Sequence, residues 1–292
     1  MKIKKKVIAI SGSNGVLGKE FINKFNKYSY RKICFDICNS KKLKKWIKTT
    51  KFDAFIHLAA IVPIKKVKKN KFLAYRTNFL ATKNIVDALI KYKNDKNFTF
   101  FYASTSHVYK TSNSRIRENF KLKPISYYAT TKYLSEKYIL KKMENSKINY
   151  TIGRIFSFTN YSQDKSFLIP SIFNLFLKKK KITKFSDLNQ YRDFISTSDI
   201  VAAINCLLKK KAKGIFNIGS GRKYYLKNLV LLIKKKFFKN QKVLFFNMKR
   251  GKDLVANNLK ILKLGCKPKD SIDDIINEYY KGYKKNKNFI NE

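Results

Sequence analysis

The strongest constraint on the fold is a glycine-rich turn close to the start of the sequence. A short apolar run, KVIAISG, predicts a buried strand, and a helical pattern follows over residues 16–27. The turn between them reads GSNGVLG, a G-x-x-G-x-x-G spacing that lets backbone N–H groups approach a pyrophosphate at a helix N-terminus. This strand–turn–helix context predicts a dinucleotide site. Its predicted cofactor contacts are Gly12, Asn14, Gly15, Val16 and Leu17.

Beyond this turn, short apolar runs alternate with longer helical patterns for the first two hundred residues. The predicted strands after the first are residues 31–36, 52–60, 97–105, 148–156 and 214–219. The predicted helices are residues 16–27, 40–48, 70–93, 127–144 and 198–208. Strands and helices that alternate in this way form a parallel sheet with helices on both faces. The predicted fold class is therefore α/β, with a doubly wound parallel sheet.

The alternation loosens in two stretches, between Ser157 and Tyr191 and again after Ser220. The elements become shorter there, which predicts a smaller α+β lobe towards the C-terminus. The dinucleotide-binding domain is then expected to comprise residues 1–156 and a returning segment at about 193–219. The substrate-binding lobe is expected to comprise residues 157–192 and 220–292.

The sequence is extremely basic, with 66 Lys and Arg against 18 Asp and Glu and a formal net charge of +48. Such a charge favours polyanions as partners, either nucleic acid or an anionic membrane. However, only eight of the basic residues are Arg, the side chain best suited to phosphate recognition, and the lysines occur in nearly every segment. We therefore interpret the charge as a lysine-rich solvated surface, and expect no specific nucleic-acid or membrane partner.

Four cysteines are present, Cys34, Cys38, Cys206 and Cys266, with no C-x-x-C pair and no adjacent His. This pattern predicts neither a zinc site nor a disulfide framework, and it favours the reducing cytoplasm. The basic start carries an apolar run too short for a signal peptide, and no stretch has the length of a membrane span.

Asp36 ends the second predicted strand, eighteen residues after Gly18. A carboxylate at this point accepts hydrogen bonds from the adenosine ribose hydroxyls and repels a 2′-phosphate. Asp36, with the adjacent Ile37, therefore favours NAD over NADP. Lys41 and Lys42 leave NADP open, and the alternative interpretation of Asp36 is a turn or helix-capping residue.

Tyr128 and Lys132 lie one helical turn apart in a predicted helix, so their side chains can project from one face. A neighbouring ammonium favours the phenolate and lowers the pKa of a tyrosine from about 10. The pair is thus a candidate acid/base group.

With these motifs in place, nearly the whole chain resembles the extended short-chain dehydrogenase/reductases, a Rossmann-like family that includes nucleotide-sugar 4-epimerases, 4,6-dehydratases and 4-keto reductases. The matching segments are GSNGVLG, HLAA, YRTNFLATKN, YASTSHVY and PISYYATTK. The resemblance implies catalytic roles for Thr105, Tyr128 and Lys132. It implies further cofactor contacts by Leu58, Ala59, Ala60, Asn78, Tyr128 and Lys132.

Later segments also follow the order of the family's motifs: RIF from Arg154, YRDFISTSDI, NIGSG, and RGKD followed by LGCKP. By this resemblance, Arg192 and Arg250 hold the diphosphate of a nucleotide sugar, a task that suits guanidinium groups. The alternative for each arginine is an ordinary ion pair.

Three departures from the family pattern bear on the chemistry. His107 stands where the 4,6-dehydratases carry a Glu, which disfavours a dehydratase. Ser157 replaces a frequent Asn, and Lys110 replaces a Gly. His57 in the HLAA strand is interpreted as structural, while His107 is equally compatible with a substrate contact and with a scaffold role. The predicted substrate contacts are Thr105, Ser106, His107, Ser157, Arg192 and Arg250.

The resemblance implies an NAD(P)-dependent enzyme acting at carbon 4 of a nucleotide-linked sugar, either a 4-keto sugar reductase or a 4-epimerase. It also implies a possible homodimer and no metal. Two alternatives stay open: a non-catalytic RNA-binding member of the same fold, and a reductase of a non-sugar ketone.

Overall fold

The computed structural model describes residues 5–62, 64–178 and 180–288. Its strands are β1 (Val7–Ser11), β2 (Ser29–Lys32), β3 (Ala54–His57), β4 (Thr99–Thr105), β5 (Asn149–Ile155), β6 (Ile182–Ser186), β7 (Tyr191–Arg192), β8 (Gly214–Ile218), β9 (Tyr224–Tyr225) and β10 (Lys242–Phe246). Six of them form a parallel sheet in the order β2-β1-β3-β4-β5-β8. The predicted parallel sheet is confirmed.

The helices connect these strands. They are α1 (Val16–Lys24), α2 (Ser40–Thr49), α3 (Ile64–Lys69), α4 (Lys71–Tyr75), α5 (Ala81–Tyr92), α6 (Tyr127–Met143), α7 (Leu168–Leu177), α8 (Thr197–Lys209), α9 (Leu226–Phe237), α10 (Leu259–Leu262) and α11 (Ile272–Asn288). A π-helical turn at Arg76–Leu80 and a 3₁₀ turn at Ser106–Val108 complete them. The single helix predicted for residues 70–93 is thus divided into α4, the π turn and α5.

Both faces of the sheet are covered, because its strands are apolar on both sides. On one face α1 and α8 pack their apolar residues against the sheet, with Phe21, Ile200 and Ile204 fully buried. On the other face α2, α5 and α6 do the same, with Leu43 and Ile85 fully buried. Helices on both faces of a parallel sheet make the doubly wound arrangement.

A separate apolar cluster forms the smaller α+β part of the molecule. It is built around α7, α9 and α11, with Phe173 and Phe176 of α7 at its centre. Two short sheets accompany it: β10 pairs with β6 in parallel, and β7 pairs with β9 in antiparallel orientation.

Asp193 connects separate segments of the chain through its side chain. Its carboxylate is completely buried and accepts hydrogen bonds from Ser220 N and Oγ at 2.8 and 2.6 Å, from Gly221 N at 2.9 Å and from Ala256 N at 3.2 Å. Burial raises the pKa of Asp193, and these donors oppose the rise. One carboxylate therefore fastens three segments that lie far apart in the sequence.

The prediction that the cysteines form no disulfide is wrong for one pair. Cys206 in α8 is bonded to Cys266, which follows α10, across 60 residues of sequence and 6.0 Å between the Cα atoms. Only the packing of α8 against that later segment brings the two thiols together, and no local spacing records it. Cys34 and Cys38 are free.

No helix in the part of the chain that the structure describes combines the length and the apolar character needed to cross a membrane.

Candidate active site

The glycine-rich loop is a tight cradle between β1 and α1. Gly12 has a φ of +74°, and a Cβ there would lie 2.7 Å from Ala59 N. A Cβ at Gly18 would lie 2.8 Å from Ser13 Cα. Larger residues would therefore displace the loop. Gly15 is the residue before α1 and provides no side-chain cap, so the first N–H groups of the helix remain available to an anion.

The segment after β3 lies against this loop. Leu58 N donates to Ser11 O at 3.1 Å, and the backbone of Ala59 fits beneath Gly12. Ala60 follows and is half-buried. The predicted cofactor contacts Leu58, Ala59 and Ala60 are thus brought to the same edge of the sheet as the glycine loop.

Asp36 does not end a strand as predicted, because β2 stops at Lys32. Instead, the exposed Asp36 carboxylate accepts a hydrogen bond from Cys38 N at 2.9 Å within a turn, and Asn39 caps α2. Ile33 is buried and Phe35 is half-buried, which explains why the apolar pattern extended the predicted strand beyond Lys32. Asp36 thus lies in the turn after β2, as its alternative interpretation has it, and its contact with a ribose stays a prediction.

Asn78 lies in the π-helical turn, a feature that helical periodicity did not reveal. Its side chain is buried, accepts from Ile61 N at 2.8 Å and donates to Thr131 Oγ1 at 3.1 Å. The backbone oxygen of Asn78 accepts from Thr82 Oγ1 and Ser135 Oγ. Asn78 thus ties the segment after β3 to α6.

His57 is buried, with both ring nitrogens engaged. Thr82 gives its only hydroxyl proton to Asn78 O, so it must accept from His57 Nε2, 2.9 Å away. His57 Nδ1 then accepts from Ser11 Oγ at 2.6 Å. Burial, together with the charge of Lys132, lowers the pKa of His57 to about 3. These contacts support the structural interpretation of this histidine.

Thr105 and Tyr128 meet at the carboxyl end of β4. Thr105 is the last residue of the strand, and Tyr128 lies in the first turn of α6, which Ser126 caps by accepting from Ala129 N at 3.2 Å. Burial raises the pKa of Tyr128, and hydrogen bonding with the Thr105 side chain partly opposes the rise. The predicted lowering of this pKa is therefore not what the structure shows.

The reason lies in the position of Lys132. Its ammonium lies over the Tyr102 ring, 4.2 Å from the ring centre. Burial lowers the pKa of Lys132 to about 7, while the carboxylate of Glu136 opposes the shift. Part of the positive charge that would favour a phenolate is thus lost near neutral pH.

Glu136 forms a buried ion pair with Arg154, a partnership that the sequence analysis did not single out. Arg154 Nη2 and Nε lie 2.6 and 3.1 Å from Glu136 Oε2, and Ser104 Oγ donates to Oε1. Both charged side chains are almost inaccessible to solvent. The spacing of Lys132 and Glu136, four residues apart on one helix, would suggest a pair between those two residues, so no local spacing identifies Arg154 as the partner.

His107 lies in the 3₁₀ turn after β4, where its backbone N donates to Thr105 Oγ1 at 3.3 Å. Burial and the nearby charge of Arg192 lower the pKa of His107 to about 4, so the imidazole is neutral at pH 7. The neighbouring Ser106 is almost completely buried. His107 is therefore better placed than Ser106 to contact a substrate.

The two late arginines lie on neighbouring segments but differ in their contacts. Arg192 Nη1 donates to the backbone oxygens of Tyr191 and Lys252, both at 2.9 Å. Arg250 forms a two-pronged ion pair with the buried carboxylate of Asp253, at 2.8 and 2.9 Å. The ion-pair alternative thus describes Arg250.

The backbone of Ser157 donates to Asp193 O and accepts from Ile195 N. Both bonds involve only its backbone, and its side chain is half-buried. Among the described residues, no group of three or more His, Cys, Asp or Glu side chains is arranged to hold a metal ion.

The sequence has relatives among known proteins. Residues 8–219 match the sequence model of the NAD dependent epimerase/dehydratase family. GDP-6-deoxy-D-talose 4-dehydrogenase of Aggregatibacter actinomycetemcomitans is 25% identical over 235 residues, which cover 77% of this chain and 78% of that protein. Human dTDP-D-glucose 4,6-dehydratase is 29% identical over 215 residues, which cover 72% of this chain and 61% of that protein.

The fold has close counterparts among solved structures. The structure of RMD from Pseudomonas aeruginosa complexed with NADPH superimposes with a TM-score of 0.84 at 20% identity, covering 97% of this chain and all of that one. The family match extends from β1 to Gly219 and so includes the glycine loop, Thr105, Tyr128 and Lys132. The chain therefore belongs to the NAD dependent epimerase/dehydratase family, whose members are enzymes of nucleotide-sugar modification.

Proposed function

We propose that the protein acts at carbon 4 of a nucleotide-linked sugar, as a 4-keto sugar reductase or a 4-epimerase, with NAD or NADP as the hydride carrier. The observation that carries this proposal is the convergence of Thr105, Tyr128 and Lys132 on the edge of the sheet that bears the glycine loop. The relative named a 4-dehydrogenase of GDP-6-deoxy-D-talose supports action at carbon 4.

The residues present fit a dinucleotide. The close approach at Gly12 and Gly18 and the uncapped start of α1 provide backbone donors for a pyrophosphate. Lys132, with an ammonium bound to no protein acceptor among the described residues, suits the hydroxyls of a ribose. When bound, the nicotinamide carries the hydride. Asp36 favours NAD, and the nearby Lys41 and Lys42 keep NADP a candidate.

Tyr128 would supply the proton in either reaction. In a reductase its phenol donates a proton to the oxygen of a 4-keto group, and Thr105 hydrogen-bonds to the same oxygen. In an epimerase Tyr128 first takes the proton of the 4-hydroxyl and later returns it. Its raised pKa keeps the phenol protonated at neutral pH, which favours the direction in which it donates.

Arg192 and His107 would make further contacts with the substrate, besides those of Tyr128 and Thr105. Arg192 keeps donors beyond the two that its backbone contacts use, and the neutral His107 can donate or accept a hydrogen bond. Arg250 would reach a diphosphate only if it shared its guanidinium with Asp253. We therefore assign the larger part of diphosphate binding to Arg192.

Replacing Arg192 with Ala is expected to raise the KM for the nucleotide sugar about tenfold or more with little change in kcat, because it removes charge-assisted hydrogen bonds to a group remote from the reacting carbon. Steady-state kinetics would measure this. Arg117→Ala is the matched control, because Arg117 is exposed and its side chain makes no hydrogen bond or ion pair with the described residues. Equal effects of the two substitutions would contradict the assignment.

The experiment that decides the function has two parts. Cofactor released from the purified protein is identified by absorbance and mass spectrometry, and nucleotide sugars are then tested with NADH and NADPH. Resident NAD without net cofactor turnover would identify an epimerase. An empty site that consumes NADH or NADPH in proportion to a 4-keto sugar would identify a reductase. Failure of every nucleotide sugar, with turnover of simple ketones, would favour the non-sugar alternative.

A non-catalytic RNA-binding role is the second candidate, supported only by the net charge of +48. Specific RNA binding should persist at physiological ionic strength, whereas attraction by dispersed lysines should weaken steeply with salt. A filter-binding titration at several salt concentrations separates the two. Homodimer formation and a cytoplasmic location stay predictions, and sedimentation and cell fractionation test them.

A further inference from the structure

The Lys132 ammonium has an unusual environment for a buried charge. The residue is only 2% exposed, yet within the described parts of the chain its Nζ makes neither a hydrogen bond nor an ion pair. The Nζ lies over the Tyr102 ring, 4.2 Å from the ring centroid. A cation over an aromatic face is attracted by the ring quadrupole, and more strongly where water is excluded.

The nearby carboxylate cannot anchor this ammonium instead. Glu136 lies one turn further along α6, but Arg154 contacts both of its oxygens and Ser104 donates to one of them. A lysine side chain has four flexible bonds and loses much conformational freedom when it is held in one place. Without a fixed support on the protein, Lys132 would sample several directions.

Tyr102 is itself immobile. It lies in β4 at the middle of the sheet, is completely buried, and packs its ring 5.6 Å from the ring of His57. Its hydroxyl forms no well-aligned hydrogen bond among the described residues, although the side chains of Ser135 and Thr82 lie close enough to oppose the rise of its pKa. The contact of Tyr102 with Lys132 is made by the ring.

We propose that Tyr102 is a positioning residue for the reaction: its ring supports the Lys132 ammonium and directs it towards the cofactor. The inference rests on the proposed function insofar as Lys132 binds the cofactor there. It assigns Tyr102 no contact with substrate or cofactor. It predicts that the aromatic ring is required and that the hydroxyl is not.

The test compares Tyr102→Leu, which removes the ring, with Tyr102→Phe, which keeps it. Cofactor affinity is measured by calorimetric titration with NADH and NADPH. Tyr102→Leu is expected to weaken binding by roughly tenfold, and Tyr102→Phe to leave it within about twofold of wild type. If Tyr102→Leu does not fold, Tyr102→Met removes the ring with a more adaptable side chain.

A double-mutant cycle separates positioning from general damage. In a Lys132→Met background, Tyr102→Leu should weaken cofactor binding by much less than tenfold, because the side chain that it supports is gone. A full tenfold loss in that background would overturn the proposal. So would an equal loss of affinity in Tyr102→Phe, because it would assign the effect to the hydroxyl.

A second measurement needs no cofactor and so distinguishes failure of this inference from failure of the proposed function. The rate at which an amine reagent labels Lys132 is followed against pH by peptide mass spectrometry. The groups that act on Lys132 are Tyr102 from β4, His57 from β3 and Glu136 from α6. Because the ring favours the charged ammonium, its loss should lower the labelling midpoint by about one pH unit in Tyr102→Leu and leave it unchanged in Tyr102→Phe. An unchanged midpoint in Tyr102→Leu would refute the support by the ring, whatever the protein binds.

Discussion

Replacing Tyr128 with Phe is expected to lower kcat by about 10²–10⁴-fold while the affinity for the cofactor stays near the wild-type value. The substitution removes the proton donor and leaves the ring that packs at the start of α6. Proton transfer would then depend on water, which is not held in place as the phenol is. Single-turnover kinetics with saturating cofactor would measure the chemical step, and calorimetric titration would measure binding.

The neighbouring Tyr127 provides a matched control. It is also a tyrosine in the first turn of α6, but it is 37% exposed, and four residues further along stands Thr131, not a lysine. Tyr127→Phe should retain nearly full activity. Near wild-type turnover in Tyr128→Phe would rule out the proposed mechanism. A large loss of activity in Tyr127→Phe would contradict the assignment of the acid/base role to Tyr128 alone.

Replacing Glu136 with Gln is expected to reduce the free energy of unfolding by about 3–5 kcal/mol, because it leaves the buried guanidinium of Arg154 without a counter-charge. Gln has the same shape, so the loss reports charge and not volume. Urea denaturation followed by circular dichroism would measure it. Glu144→Gln, at the exposed end of the same helix, should change stability by less than about 0.5 kcal/mol.

Removing both charges should be less harmful than removing one. A protein carrying Glu136→Leu and Arg154→Met is expected to be more stable than one carrying Glu136→Leu alone, because no unpaired buried charge remains. A double variant that lost the sum of the two single effects would show that the pair does not interact as the distances indicate.

Much of the fold followed from the sequence because apolar runs and turn residues determine it locally. The six sheet strands all lie within or overlap the predicted segments, and YASTSHVY and PISYYATTK meet through the hydrogen bond from Ile125 N to His107 O. Parallel strands bring their carboxyl ends to one edge, so the residues that follow β1, β3 and β4 must be neighbours.

The errors arise where tertiary packing decides. Ile33 and Phe35 follow β2, and their apolar character extended the predicted strand to Asp36. The π turn at Asn78 depends on hydroxyl donors from Thr82 and Ser135, which no periodicity indicates. The support of Lys132 by Tyr102 joins a strand to a helix, and a tyrosine within an apolar run resembles any other core residue.

The last strand of the sheet also affects how the protein must be made. β8 lies at residues 214–218, and α7, β6 and β7, which take no part in the six-stranded sheet, come between β5 and β8 in the sequence. One donor to the buried Asp193 comes from residue 256. A ribosome releases the chain from its N-terminus, so β5 stays an open, apolar edge until most of the protein has emerged. The growing chain therefore needs protection from misplaced strand pairing late in translation, and a cofactor domain truncated before β8 is expected to aggregate instead of folding alone.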